Sequence, residues 1–444
     1  MASTKMSSKN FPNEKALVTN VTARVMIMLR DTQYAKEFSL KQNLYKKSSH
    51  GDVMKSLLGT SLVFAEGDLW KRNRRIISNH FHYEFLKENV SVMQATTKEF
   101  LNKITTYEYE DFPALTKFQE ITGEIVGRIF FGESFNSYTF AGKQLTLALA
   151  NIMAELGTAS RHTLPMLFGP KVMELPIFPK LKKVSDRVKG FRQVCFSIIQ
   201  DRKNNQSYKG SDLLNSLLET QKSEDPEQRF SDLDIVNEFV NFFAAGMDST
   251  ALLVGMTLYS LAKNPQYKAV LKEERDRYYN TEGKMTTDLL SKMEFLHAVL
   301  KETLRFYAPV FQTIIREAVC DHKLGDLEIR KGEYVTNDFF ALMFNEEYFP
   351  NAFQYNPNRW MDPKHQKVDH YVYTPFSAGP RNCNGQHLAI LEAKVIVSEF
   401  LDKFDFELSD KFELRMVVKV LYQPDDELRL KIKPISKDIN KNIS

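Results

Sequence analysis

The sequence predicts a mainly α-helical protein with small β-sheets. Over residues 69–304 apolar side chains recur at helical spacing, interrupted only by short loops. Beyond Pro309 the pattern switches to short alternating segments punctuated by Gly, Pro and Asn. A chain of 444 residues also exceeds the usual size of one small core, so one large helical body or two lobes are expected.

Residues 1–15 are polar and rich in Lys, Ser and Asn, without the apolar centre of a signal peptide, and nothing before residue 50 reaches bilayer-spanning length. Residues 23–29 alternate weakly and read as a first strand. Polar stretches at 204–210 and 223–228 separate long helices. Residues 238–262 form a long apolar run. Asn241 and Asp248 in its middle would be expensive in lipid, so it reads as a buried core helix. Segments 312–318, 327–329 and 334–337 are expected as extended strands, and 413–432 as a hairpin turning at Gln423-Pro424-Asp425-Asp426. The expected organisation is one domain over 23–433, with polar extensions at 1–22 and 434–444.

A net charge of +4 is too small to argue for nucleic acid. The three cysteines, Cys195, Cys320 and Cys383, are scattered and odd in number, which gives no disulfide framework or zinc spacing and fits a reducing, intracellular compartment. The nine histidines do not cluster.

Four short patterns carry chemistry. The first is Phe376-Ser377-Ala378-Gly379-Pro380-Arg381-Asn382-Cys383-Asn384-Gly385, a cysteine among glycines ahead of a helix. Loop amides and the helix dipole favour a thiolate there, the glycines permit positive-φ turns and close approach of a flat ligand, and Arg381 can bind an acidic group. In the second, Ala245-Gly246-Met247-Asp248-Ser249-Thr250, an acid sits beside hydroxyls in mid-helix, a costly arrangement in a core unless it serves a purpose. Ser249 Oγ can bond back to the Ala245 carbonyl one turn earlier. The third is Glu302-Thr303-Leu304-Arg305, whose charges share a helix face, followed by Pro357-Asn358-Arg359-Trp360. The fourth is Trp70-Lys71-Arg72-Asn73-Arg74-Arg75, with Trp70 and Arg74 on one face.

The string F-x-x-G-x-R-x-C-x-G resembles the heme-binding signature of the cytochrome P450 family, and the other patterns resemble its A-G-x-[DE]-T-[TS], E-x-x-R and P-x-R-[FW] elements. The resemblance extends over almost the whole chain and implies a helical prism with a minor β-rich lobe. It implies heme b (iron protoporphyrin IX) ligated by Cys383, within a loop shaped by Phe376, Gly379, Arg381 and Gly385. Trp70, Arg74 and Arg316 would reach the heme propionates. Glu302, Arg305 and Arg359 would form a buried network behind the cysteine loop. Gly246 would leave room above the iron, and Asp248 and Ser249 would deliver protons during dioxygen activation, with Thr250 a substitute only if the helix is locally rotated. Phe242, Phe243, Val310 and Phe311, with residues 151–181, would line the cavity for a lipophilic small molecule. Two positions depart from the family pattern: Ser249 replaces Thr, and Asn384 replaces a small or apolar residue beside the sulfur.

The implied function is a heme-thiolate monooxygenase. It would take two electrons from NADPH through a separate reductase of the cytochrome P450 reductase type, steered by Lys71, Arg72 and Arg75. It would insert one oxygen atom of O2 into its substrate. A monomer with peripheral membrane contact is expected, associated with the endoplasmic reticulum if an anchor is missing from this chain and cytoplasmic otherwise. One rival is a heme-thiolate isomerase or dehydratase, against which the Asp248–Ser249 pair argues. The other is a non-catalytic heme sensor.

Overall fold

A computed structural model describes residues 14–21, 24–48, 52–104, 109–205, 208, 210–279, 283–363 and 368–435. A five-stranded sheet lies to one side, ordered Ala16–Val21, Arg24–Leu29, Tyr334–Asn337, Arg316–Ala318, Tyr45–Lys47. Its first hairpin pairs residue for residue from Ala16↔Leu29 to Val21↔Arg24. Strand pairing therefore takes in residues ahead of the expected boundary at residue 23. The 16–21 strand escaped notice because it is an edge strand with a mostly exposed middle, held by backbone bonds that composition does not report. Residues 1–13, 22, 23 and 436–444 of the expected strand and extensions lie outside the described residues. One face of the sheet is closed by Ile27, Leu29, Tyr34, Phe38, Tyr45, Ala318 and Val335.

The helical body is organised around Asp232–Lys263, 32 residues started by a reciprocal Ser231–Asp234 capping box. By length and composition this helix could cross a membrane, but most of its apolar window is buried inside the protein, as its polar interruptions lead one to expect. It packs most extensively on Ala114–Phe130, and also against Pro179–Asn204, Glu294–Tyr307 and Gln386–Lys403.

Strands appear where expected at Leu327–Ile329 and Tyr334–Asn337, but in 312–318 only Arg316–Ala318 is a strand, with a lone bridge from Gln312 to Asp338. The C-terminal hairpin is Met416–Val418 with Tyr422–Pro424, turning at 419–421 rather than 423–426. Arg429–Pro434 pairs instead with Phe404–Leu408 and Tyr109–Pro113. Alternation with period 2 fits either pairing and does not name the partner.

Candidate active site

The cysteine loop is stitched by its own backbone: Cys383 N donates to Phe376 O at 2.9 Å and Asn382 N to Gly379 O at 3.1 Å. Ser377 (φ 61°) and Gly379 (φ 77°) supply the left-handed turns. A Cβ on Gly379 would lie 2.7 Å from the Ser39 carbonyl oxygen, so this glycine serves contact with the chain as well as conformation. Gly385 caps the helix Gln386–Lys403, and a Cβ there would meet only Cys383 Sγ at 3.8 Å and Phe81 at 3.9 Å, ordinary contacts. The surrounding protein does not demand glycine at 385.

Cys383 keeps accessible surface although protein atoms surround it closely. Burial raises its thiol pKa, against the Gly385 amide and Arg74, which lower it. The expectation that the loop alone favours the thiolate is therefore corrected: burial outweighs the Gly385 amide and Arg74. Asn384 does not bond the sulfur. Its carbonyl accepts a 3.5 Å bond from Ser78, and its buried Nδ2 has no partner.

A group of cations surrounds this loop. Arg74 donates to Asn382 O at 2.8 Å and Asn382 Oδ1 at 2.7 Å. Arg381 donates to Ala65 O at 2.8 Å and stacks over the Trp70 ring at 4.2 Å. Arg316 bonds Gln42 and lies 5.3 Å from the Phe38 ring, while its buried Nε has no partner. Lys47, which sequence reasoning missed, donates to Ala65 O at 3.0 Å. Burial and the neighbouring Arg381 bring Arg316 down to about 10, and burial with Arg381 brings Lys47 down to about 7. Glu66 is the acid that opposes them. Mutually repelling, half-buried cations with an orphaned guanidinium nitrogen form a site for anions, and the two carboxylates of protoporphyrin IX fit it. Trp70 thus supports Arg381, and Arg74 secures the cysteine loop. Lys47 carried no signal, being the inward member of a Lys46-Lys47 pair in a three-residue strand.

The scaffold network closes as the motifs imply. Arg305 reaches Glu302 through two bonds (2.9 and 3.0 Å), Arg359 Nε donates to Glu302 Oε1 at 3.1 Å and Trp360 Nε1 to Glu302 Oε2 at 2.9 Å. Glu302 and Arg305 are 0 % exposed.

On the central helix, Ser249 Oγ donates to Ala245 O at 2.7 Å, the back-bond its spacing predicts. Ala245, Asp248 and Ser249 retain accessible surface in the middle of an otherwise buried helix. Asp248 Oδ1 accepts from Gln119 Nε2 at 3.0 Å, and burial pushes the carboxyl up to about 7. Three expectations are corrected. Gly246 does not simply leave room in a cavity: a Cβ there would lie 2.8 Å from Val126, so its small size admits the neighbouring helix. Thr250 is turned into the core, 2 % exposed. Phe243 is sealed among Phe135, Phe191 and Phe239 and lines no pocket. Phe311 packs on Phe340 and Tyr422, whereas Val310 and the unanticipated Ile314 stay open, and Phe242 rests beside Phe81. The basic stripe is also partly spent: Arg72 packs over Phe230 and bonds Arg229 O, and Arg75 bonds Gln228.

A family model described as cytochrome P450 matches residues 14–432. A cytokinin hydroxylase of Arabidopsis thaliana is 29 % identical over 423 residues, covering 92 % of this chain and 79 % of the plant protein. Cytochrome P450 3A18 of Rattus norvegicus is 26 % identical over 393 residues, covering 85 % and 77 %. The heme domain of cytochrome P450DA superposes with TM-score 0.84 at 22 % identity, over 97 % of this chain and 92 % of that one, a likeness of fold. A cysteine loop bordered by half-buried cations, set in a chain that the family model matches nearly end to end, places this protein in the cytochrome P450 family, the heme b-dependent monooxygenases.

Proposed function

We propose that this enzyme oxidises a lipophilic small molecule with O2, using two electrons drawn from NADPH through a separate reductase. The Ser249–Ala245 bond beside Asp248, whose carboxyl burial pushes up to about 7, carries the reading. It diverts a helix carbonyl at the point where an acid is available, an arrangement useful for proton delivery and unnecessary for an isomerase. Cys383 would be the axial ligand, and Arg74, Arg316, Arg381 and Lys47 would hold the carboxylates. Heme b, when bound, supplies the redox and oxygen-activating chemistry. The chain's own residues would hold it and move protons: Ser249 engages the Ala245 carbonyl within the continuous helix, and Asp248 would give up and regain a proton at its carboxyl. Val310 and Ile314 offer apolar surface suited to a lipophilic substrate.

Leu167, Phe168, Leu175 and Ile177 project on the outside, Phe168 71 % and Ile177 74 % exposed, with Lys171, Lys180, Lys182 and Lys183 nearby. Apolar prongs among lysines support peripheral contact with an anionic membrane by a monomer, and hence association with the endoplasmic reticulum.

Reconstitution with NADPH, a P450 reductase and a panel of lipophilic compounds should give hydroxylated or epoxidised product with oxygen from labelled O2. Product formed without NADPH would instead indicate the isomerase. Ser249→Thr restores the methyl that narrows rotamer choice and should lower the hydrogen peroxide released per NADPH consumed. An unchanged ratio would show that serine costs nothing here.

A further inference from the structure

The Asp248 carboxyl is held from one side. Gln119 Nε2 donates to Oδ1 from the helix Ala114–Phe130, and Oδ2 has no protein donor among the described residues. The two helices are locked in register at this point. Thr122 Oγ1 donates to the Met247 carbonyl at 2.8 Å, Val126 occupies the space beside Gly246, and a Cβ on Gly123 would come within 3.3 Å of Met247. Gln119, Thr122, Gly123 and Val126 follow i, i+3, i+4, i+7 spacing and so share one helix face, which brings the Gln119 amide to the Asp248 side of the contact.

We propose that Gln119 is the positioning residue for proton delivery: by donating to Oδ1 it fixes the plane of the Asp248 carboxyl and leaves Oδ2 as the atom that binds and releases the proton. The inference rests on the proton-delivery reading of Asp248. Oδ2 would be the atom that gives up a proton toward the heme side and recovers one from solvent water, with Gln119 stabilising the carboxylate in between. The neutrality of the donor matters. A lysine or arginine in its place would hold the carboxylate ionised, whereas an amide supports the charge without trapping it. Burial, which raises the proton affinity, and the Gln119 bond, which lowers it, are the two influences on this carboxyl, and no charged side chain of the packed helices contributes.

The test compares holoenzyme with Gln119→Leu, Asp248→Asn and the double variant. The carboxyl infrared band is titrated against pH, with Asp248→Asn identifying the band, and hydrogen peroxide released per NADPH is measured with reductase. Heme content and the reduced carbon monoxide spectrum establish that each variant is folded and loaded. In Gln119→Leu the inflection should rise by about one pH unit, a tenfold gain in proton affinity, because a hydrogen bond to the charged form is lost. Peroxide release should rise too, and the double variant should match Asp248→Asn alone. An unmoved inflection, or additive effects in the double variant, would overturn the role of Gln119. A shifted inflection with peroxide release unaltered in Asp248→Asn would overturn the proton-delivery reading, and this proposal with it.

Discussion

Glu302→Ala is expected to yield protein that does not retain heme. Glu302 Oε1 and Oε2 together accept from Arg305, Arg359, Trp360 and the Asn356 amide, in a region where glutamate and both arginines are almost wholly excluded from solvent. Removing the carboxylate leaves two guanidinium groups buried without their counter-charge, a cost of about 3–5 kcal/mol. Against a total stability of about 5–15 kcal/mol, that is a large fraction. The damage is also directional. Arg305 anchors Met343 O and Arg359 anchors Pro350 O, while Trp360, which Glu302 also holds, packs its ring 4.7 Å from Tyr373 just ahead of the cysteine loop, so these segments lose their fixed points. Glu302→Gln should be milder, since it keeps an acceptor and the shape but not the charge. Thermal unfolding and heme-to-protein ratio measure both variants. Wild-type heme content in Glu302→Ala would show that the network is dispensable to the loop.

What could be read beforehand from the chain divides along physical lines. The cysteine loop, the Glu302–Arg305 pair and the Ser249 back-bond lie within one turn or one loop, where spacing fixes geometry. The neighbours of the central helix could not be read. That helix is buried on nearly every side, so periodicity does not say which of Phe242, Phe243, Gly246 or Thr250 keeps accessible surface and which is packed into the core. Gln119 reaches Asp248 across 129 residues of sequence, and Lys47 reaches the cysteine loop's cations from a three-residue strand. Both contacts come from tertiary packing and leave no local pattern. The same holds for the edge strand Ala16–Val21, whose evidence is entirely in backbone pairing. Burial also reversed the inference about the thiol: an exposed loop beside a helix start favours the anion, but this sulfur lies too deep for that to dominate.

Cys383→Ala should abolish the red-shifted Soret band of the reduced carbon monoxide complex, the spectral mark of thiolate ligation. The assignment can be made by exclusion among the three thiols as well as by motif. Cys195 is fully buried in the helix Pro179–Asn204 among Val188, Phe191 and Ile199, where burial drives its thiol pKa well up and no flat ligand could enter. Cys320 lies on the surface at a turn beside the strand His322–Leu324, its carbonyl bonded to His322. Cys383 alone combines an accessible sulfur with deep placement and a ring of cations. Cys195→Ala and Cys320→Ala should therefore leave the band in place, which makes the series diagnostic even if Cys383→Ala binds some heme through another group. Retention of the shifted band in Cys383→Ala would remove the sulfur from the site. A band at the ordinary position, with heme still present, would show that the thiolate supplies the electronic signature while other groups retain the macrocycle.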